Sequence, residues 1–465
     1  MTIRAADLTP IRPTIFVTSR RRLSVTPEKR LPHQDGPLRF SQRNDRRLLP
    51  GANVASTIAV GMLRLLTAFA PARRLGSRLA AIVLPLLTLL MSRDAMAYQW
   101  MLRHGYAGCT ACHTDPSGAG LLEPYGSLIA NEVLRTQYSD AGGESHAGEF
   151  LGGILPLPDV LRLKGDVRLM SLATKLEERP IDQRTIWMQA DLAAGINWQG
   201  FVAAASLGYA HEGAPLAALT RKDEQNLVSR YHWLGFWNDS RSLLIRAGRM
   251  NLPFGVRTIE HTLWVRQLSR TSINDDQSHG VAAFFGSEVL RAEVMAIAGN
   301  FQSRPDDYRE RGYSGYVEFT VTPTLALGGS SLVTHKLLDS ASLEPTWRQA
   351  HGIMARWSTP WEELVLATEA DHVLYSSKER DHRKGWVGYL QADVELLQGI
   401  HLLATGEANN VGVGDALASY GAWLSYQWFF APHADVRLDN VFYRLRSQSE
   451  SSDALAIMAQ LHVYL

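Results

Sequence analysis

The chain has 465 residues, 46% of them hydrophobic, and 47 Lys+Arg against 46 Asp+Glu give a formal net charge of +1. That apolar content excludes a wholly disordered chain, and two cysteines exclude a disulfide-stapled scaffold. The neutral total hides a segregation: residues 1–97 carry 16 basic and 5 acidic residues, leaving 31 and 41 for residues 98–465.

Residues 1–61 are Arg-rich and aperiodic, and read as a disordered leader or as sequence upstream of a true start at Met62. Residues 62–97 read as a secretory signal. Arg64, Arg73, Arg74 and Arg78 supply the basic region, Leu79 to Met91 the apolar core, and Ala95-Met96-Ala97 a small-x-small cleavage site. The apolar run contains Pro85 and falls short of the ~20 residues a membrane-spanning helix needs. The basic run Arg20-Arg21-Arg22 sits beside this export signal, so no nucleic-acid partner is expected.

Residues 98–138 carry the chemistry. Cys109-Thr110-Ala111-Cys112-His113 is the C-x-x-C-H signature of haem c attachment, and its cysteines are the only two in the chain. Each thiol can add to one porphyrin vinyl group, and the adjoining imidazole is then placed to ligate the iron. A thioredoxin-type dithiol, half of a zinc site and chance are the alternatives. The surrounding glycines argue against the first, and His104 is the only nearby further ligand for the second. Export agrees with haem c, because that haem is attached outside the cytoplasm. Asp115 to Gly118 predict a turn, and Leu121 to Tyr138 a helix with Pro124 in its first turn and an apolar stripe of Leu121, Tyr125, Leu128, Ile129 and Val133. His104 and Met101 are candidate distal iron ligands, His146 lies in the linker, and an open sixth position is a further option. About 40 residues cannot bury a haem alone, so the module is expected to borrow a wall from the C-terminal part of the chain.

Residues 139–158 are glycine-rich and read as a linker or plug loop. From 159 to 465 the hydrophobic period changes to two. Leu455, Ile457, Ala459, Leu461, Val463 and Leu465 alternate with Ala456, Met458, Gln460, His462 and Tyr464, and similar faces recur from Phe201 to Tyr209 and from Trp386 to Leu396. Sixteen such segments succeed one another, near 160–171, 184–196, 199–211, 226–237, 241–250, 278–286, 288–298, 313–322, 324–335, 347–358, 362–374, 385–397, 399–410, 416–429, 433–446 and 454–465. Short connections such as Gln398-Gly399 alternate with long ones such as 251–277, and aromatic residues including Trp233, Trp237, Trp357, Trp361, Trp386, Tyr420, Trp423, Tyr426 and Trp428 gather near segment ends. This pattern predicts a mainly β fold: a 16-stranded antiparallel outer-membrane barrel preceded by a small α-helical haem module. A soluble β-sandwich explains the alternation without the strand length or the connection pattern.

An export signal, one C-x-x-C-H and a sixteen-strand pattern together resemble the fused monohaem cytochrome-porins, best known as outer-membrane iron oxidases. Gly248-Arg249-Met250-Asn251-Leu252-Pro253-Phe254-Gly255 is also similar to a G-R-x-x-x-P-F-G stretch of some porin barrels. The final Leu465 departs from the phenylalanine usual in such barrels, and the long leader is foreign to the family. The resemblance implies one covalent haem c on Cys109 and Cys112 with His113 as proximal ligand. It also implies electron transfer between an extracellular donor or acceptor and a periplasmic carrier such as a soluble cytochrome c. Fe(II) oxidation is the activity of some members only. Two other functions fit the residues: a porin with a haem-bearing gating plug, and a soluble periplasmic cytochrome with a β-rich partner domain. The carboxylates Glu369, Asp371, Asp393, Glu395, Asp435 and Asp439 either attract a cation or hydrate a lumen.

Overall fold

In a computed structural model the described residues are 99–465, apart from 107, 139–149, 178, 213–215, 221–223, 275, 304–305, 340–342, 362, 378–381, 415 and 448–449. The leader, the signal peptide with its cleavage site, and His146 with most of the linker lie outside them.

The strands are β1 Leu161–Leu176, β2 Asp182–Trp198, β3 Phe201–Glu212, β4 Glu224–Val228, β5 His232–Trp237 and β6 Leu243–Met250. After a long connection come β7 Ser278–Gly286, β8 Leu290–Gly299, β9 Arg311–Thr322, β10 Leu325–Lys336, β11 Thr346–Ser358 and β12 Leu364–Ser377. The chain ends with β13 Arg383–Leu397, β14 Ile400–Asn409, β15 Gly412–Val413, β16 Ser419–Ala431, β17 Ala434–Arg446 and β18 Ser451–Tyr464. β4 and β5 both pair with β3 and form one interrupted wall position, and the short β15 continues β14 against β13. The eighteen segments therefore occupy sixteen positions. All neighbours are antiparallel, and β18 pairs with β1 from Asp166↔Tyr464 to Leu176↔Ala454, which closes the sheet. Closure leaves no strand edge with unpaired backbone groups. Every segment expected from the alternation is present, with ends moved by a few residues; the first runs to Leu176 rather than 171.

The alternation sorts side chains inside out relative to a water-soluble barrel. Along β14, His401, Leu403, Thr405 and Glu407 are buried while Leu402 and Ala404 face outward. Along β18, Leu455, Ile457, Leu461 and Val463 are exposed, and His462 is buried. Such an outer surface is stable only against an apolar surround. Exposed aromatics mark both ends: Trp198, Phe201, Phe236 and Trp361 beside the short turns, and Tyr313, Trp347, Trp386 and Tyr420 beside the long connections. Trp233, Trp237 and Trp423 correct the expected girdle, because they are buried and belong to the interior core. No helix among the described residues is long and apolar enough to cross a membrane, which is no statement about strands.

The connection 251–277 departs from an external loop, since it folds into the lumen. Leu252, Phe254, Leu263 and Val265 join wall residues such as Val202, Leu244, Leu332 and Val373 in one buried cluster. A helix at Trp264–Ser269 carries Arg266 to Glu369 of β12, and the Trp264 backbone N–H donates to Glu407 of β14 at 2.7 Å. Across the lumen, Arg437 of β17 pairs with Glu260 at 2.8 Å. Gly255 has φ 60, and a Cβ there would collide with Glu369 and Arg266, so the tight approach of loop to wall requires glycine.

Candidate functional site

The Cys-Thr-Ala-Cys-His stretch forms one helical turn. The Cys112 N–H donates to the Cys109 carbonyl at 3.2 Å and the His113 N–H to the same carbonyl at 2.9 Å. The turn is clipped to the next segment of chain by Thr114 N–H to Leu121 O at 3.0 Å and Glu123 N–H to Cys112 O at 2.8 Å. Between the two arms of this clip, Asp115 accepts from the Ser117 backbone N–H at 2.7 Å, and Gly118 and Gly120 both take φ 78. The expected Asp115 to Gly118 turn is thus present.

The helix is shorter than expected. It is an α-helix from Pro124 to Ile129 that passes into a π turn over Ala130–Leu134. It stops because the next residues are diverted to the barrel rim, where the Thr136 N–H donates to Phe429 O at 2.9 Å and its hydroxyl to Gln398 O at 3.1 Å. Along the expected apolar stripe, Leu121 and Ile129 are buried, and Tyr125 and Leu128 are 45% and 53% exposed.

The module borrows its walls from the barrel, as its size demands. Trp100 packs on His401 with ring centroids 4.0 Å apart, and Arg103 pairs with Asp393 at 2.5 Å and Glu395 at 3.3 Å. On the other side Asp115 meets Arg246 at 2.7 Å, and Arg246 also holds Glu293 at 2.5 Å. Ser117 accepts from Asn251 at 3.0 Å, while Glu123 accepts from Asn197 at 3.3 Å and faces Arg162 at 3.5 Å. Leu121 enters the main interior cluster, and Met101, Trp100, Cys112 and Ile129 share a second one with Val365 and Phe429 of the wall.

Both cysteines are free and buried. Burial pushes the Cys109 thiol up, and burial with the neighbouring Cys109 pushes Cys112 up to about 12. A redox dithiol needs the opposite shift, because its reactive form is the thiolate. Burial, helped by the charge of Lys164, pushes His113 down to about 3, so its imidazole is neutral at physiological pH and retains a lone pair for a metal. Its Nδ1 is buried without a hydrogen-bond partner. For zinc, no group of three His, Cys, Asp or Glu that could hold a metal is found among the described residues. Two vinyl-reactive thiols and one neutral imidazole on a single turn fit haem c as a donor set, with Cys109, Cys112 and His113 as the residues that would hold it. Of the distal candidates, His104 contacts Glu395 at 3.2 Å, and Met101 lies buried in the cluster that contains Cys112.

Sequence reasoning missed the buried arginines. The carboxylates singled out as a cation-attracting or hydrated set are largely matched: Glu369 by Arg266, Asp393 by Arg103, Asp439 by Arg437, and Asp435 by His462 at 2.8 Å. Asp371 is buried beside Glu369. Alternation places Arg437 on the inner face, but it says nothing of Arg103 and Arg266, which lie outside the strands, and it cannot name partners on non-adjacent chain segments.

Gly126 offers a test of the turn. A Cβ there would strike the Cys112 carbonyl and lie 2.9 Å from the Cys112 C and Cα, all backbone atoms that cannot swing aside. Gly126→Ala is expected to displace the cysteine turn at a cost of ~1–3 kcal/mol and to lower the haem-to-barrel ratio measured by pyridine haemochrome.

No family model matches the chain, and no curated protein matches it. Among solved structures it is similar to OmpT of Vibrio cholerae expressed in the outer membrane, at 10% identity over 67% of this chain and 100% of that one, with a TM-score of 0.50. OmpT folded in vitro gives the same identity, coverage and TM-score. An anion-selective porin from Comamonas acidovorans matches at 10% identity over 66% and 99%, with a TM-score of 0.49. At this identity the OmpT likeness shows the barrel fold alone.

Proposed function

We propose that the protein is an outer-membrane electron conduit, in which a single haem c held by Cys109, Cys112 and His113 inside the barrel passes electrons between a periplasmic carrier and an extracellular donor or acceptor. The observation that carries this reading is the seating of the C-x-x-C-H turn against the inner wall, with Asp115 on Arg246 and Cys112 in a cluster with Val365 and Phe429. The apolar outer face and the aromatic residues at both barrel ends support membrane insertion, and the likeness to OmpT agrees with it. When bound, haem c supplies a one-electron Fe(III)/Fe(II) couple. The chain's own part is to hold that couple in a low-dielectric shell and to keep solvent from it. Buried Trp100, Leu121 and Ile129 support this from the module, and buried Phe254, Leu263 and Val265 from the folded-in connection.

An open porin is the competing function. In planar bilayers the protein is expected to show little steady conductance while carrying covalent haem. Large steady conductance, unchanged on deletion of residues 98–150, would favour the porin.

A further inference from the structure

On the outer face of the barrel, at the end that carries the long connections, a hollow opens between β12, β13 and the connection after β14. His372, Lys384, Trp386, Asn410 and Ala416 line it, and its volume is about 470 Å³, in the size range of small-ligand sites. Strand phase sets it on the outside: Trp386 and Leu390 are 57% and 53% exposed, Val387 and Tyr389 between them are buried, and Lys384 shares the outward phase. His372 is the register partner of Trp386 and lies between buried Asp371 and Val373, with the two rings 5.2 Å apart. The polar groups around the hollow are mostly donors. The Asn410 side-chain oxygen is taken by the Trp386 backbone N–H at 2.7 Å, which leaves the Asn410 amide nitrogen to donate. Among the described residues the His372 ring and the Trp386 indole N–H make no hydrogen bond, Lys384 makes no ion pair, and no carboxylate lines the hollow.

We propose that this hollow binds the phosphate group of an outer-leaflet lipid headgroup. The proposal rests on the barrel lying in the outer membrane and is independent of the haem. Trp386 is one of the exposed aromatics at the long-connection end, which in such barrels stands at the headgroup level on the extracellular side. Lys384 is two residues closer to the long connection on the same strand face, about 7 Å beyond the tryptophan, at the depth of a lipid phosphate. A lysine, an imidazole and two further N–H donors, facing no carboxylate of the described residues, complement a group whose ionised oxygens accept. The acyl chains of the same lipid would run down the apolar outer face past Leu390, a contact that a soluble anion cannot make.

The test uses the full-length protein in detergent, with barrel folding checked by heat-modifiable gel mobility and lipid retention read by native mass spectrometry. The probes are a bis-phosphorylated lipid A, the same lipid stripped of its phosphates, and inorganic phosphate. Wild type is expected to hold the phosphorylated lipid more tightly than the stripped one. Lys384→Gln should weaken that binding about fivefold. Lys384→Arg should recover most of the loss, and Arg184→Gln, which removes an exposed arginine of β2 paired with Asp182, should cause none. His372→Gln combined with Lys384→Gln should bring retention down to that of the stripped lipid; if this double variant fails to fold, Lys384→Gln alone decides. Equal retention of the two lipids by wild type, or unchanged retention in folded Lys384→Gln, overturns the site. Binding of inorganic phosphate with no preference for the lipid overturns the lipid as its source. Haem content is read separately by intact mass, so a haem-free protein answers the question equally.

Discussion

Replacing Cys109 and Cys112 together by Ala is expected to abolish covalent haem loading while leaving the barrel able to fold, and Cys112→Ala alone to lower it. Cys112 would supply one thioether and gives the carbonyl that the Glu123 N–H holds at 2.8 Å, so its replacement would remove a covalent link but keep the backbone clip. His113→Ala should remove the proximal ligand and alter the haem absorption spectrum. Neither change touches barrel closure, which runs through the eleven register pairs from Asp166↔Tyr464 to Leu176↔Ala454. Haem staining on a denaturing gel and heat-modifiable mobility read the two properties separately. A protein with both Cys109→Ala and Cys112→Ala that still stains for haem would remove the basis of the haem c assignment.

The second large effect concerns Arg246, which is fully buried and holds Asp115 of the module and Glu293 of β8 at once. Burial alone would push the Asp115 carboxyl up, but Arg246 and the Ser117 contacts hold it below the ordinary carboxylate range. Arg246→Ala strands two buried carboxylates, a change that typically costs ~3–5 kcal/mol. It also cuts a buried ion pair between module and wall. The expected result is a lower denaturation midpoint in detergent, together with faster proteolysis between residues 99 and 138. The triple variant Asp115→Asn, Arg246→Met, Glu293→Gln should recover much of the lost stability, since no unmatched charge remains. If Arg246→Ala matched wild type in both measurements, the module would not be anchored through this pair.

Most of the barrel is legible in the sequence. A period of two over strands of this length shows itself without any partner information, so β18 is visible in the alternation of Leu455, Ile457, Leu461 and Val463 with Met458, Gln460 and His462. The Cys-Thr-Ala-Cys-His turn is equally plain, because its residues are adjacent in the chain. Contacts between distant segments are not. The connection 251–277 looks external by position, although Phe254, Leu263, Trp264, Val265 and Leu268 give it an apolar content unusual for a solvated loop. Trp233 and Trp237 lie near strand ends, which suggests a girdle, whereas their inward phase on β5 decides their burial. The helix reads too long in the sequence because its pattern continues to Val133, and only the rim contacts of Thr136 reveal where the chain must turn away.

If the barrel carries electrons rather than solutes, it must move them across a sealed membrane. The most direct measurement encloses a soluble cytochrome c in sealed proteoliposomes and adds a membrane-impermeant reductant outside. Wild-type vesicles are expected to reduce the enclosed cytochrome, and vesicles of the protein with both Cys109→Ala and Cys112→Ala to do so only at the rate of protein-free liposomes. Equal rates in wild-type and double-variant vesicles would contradict the conduit.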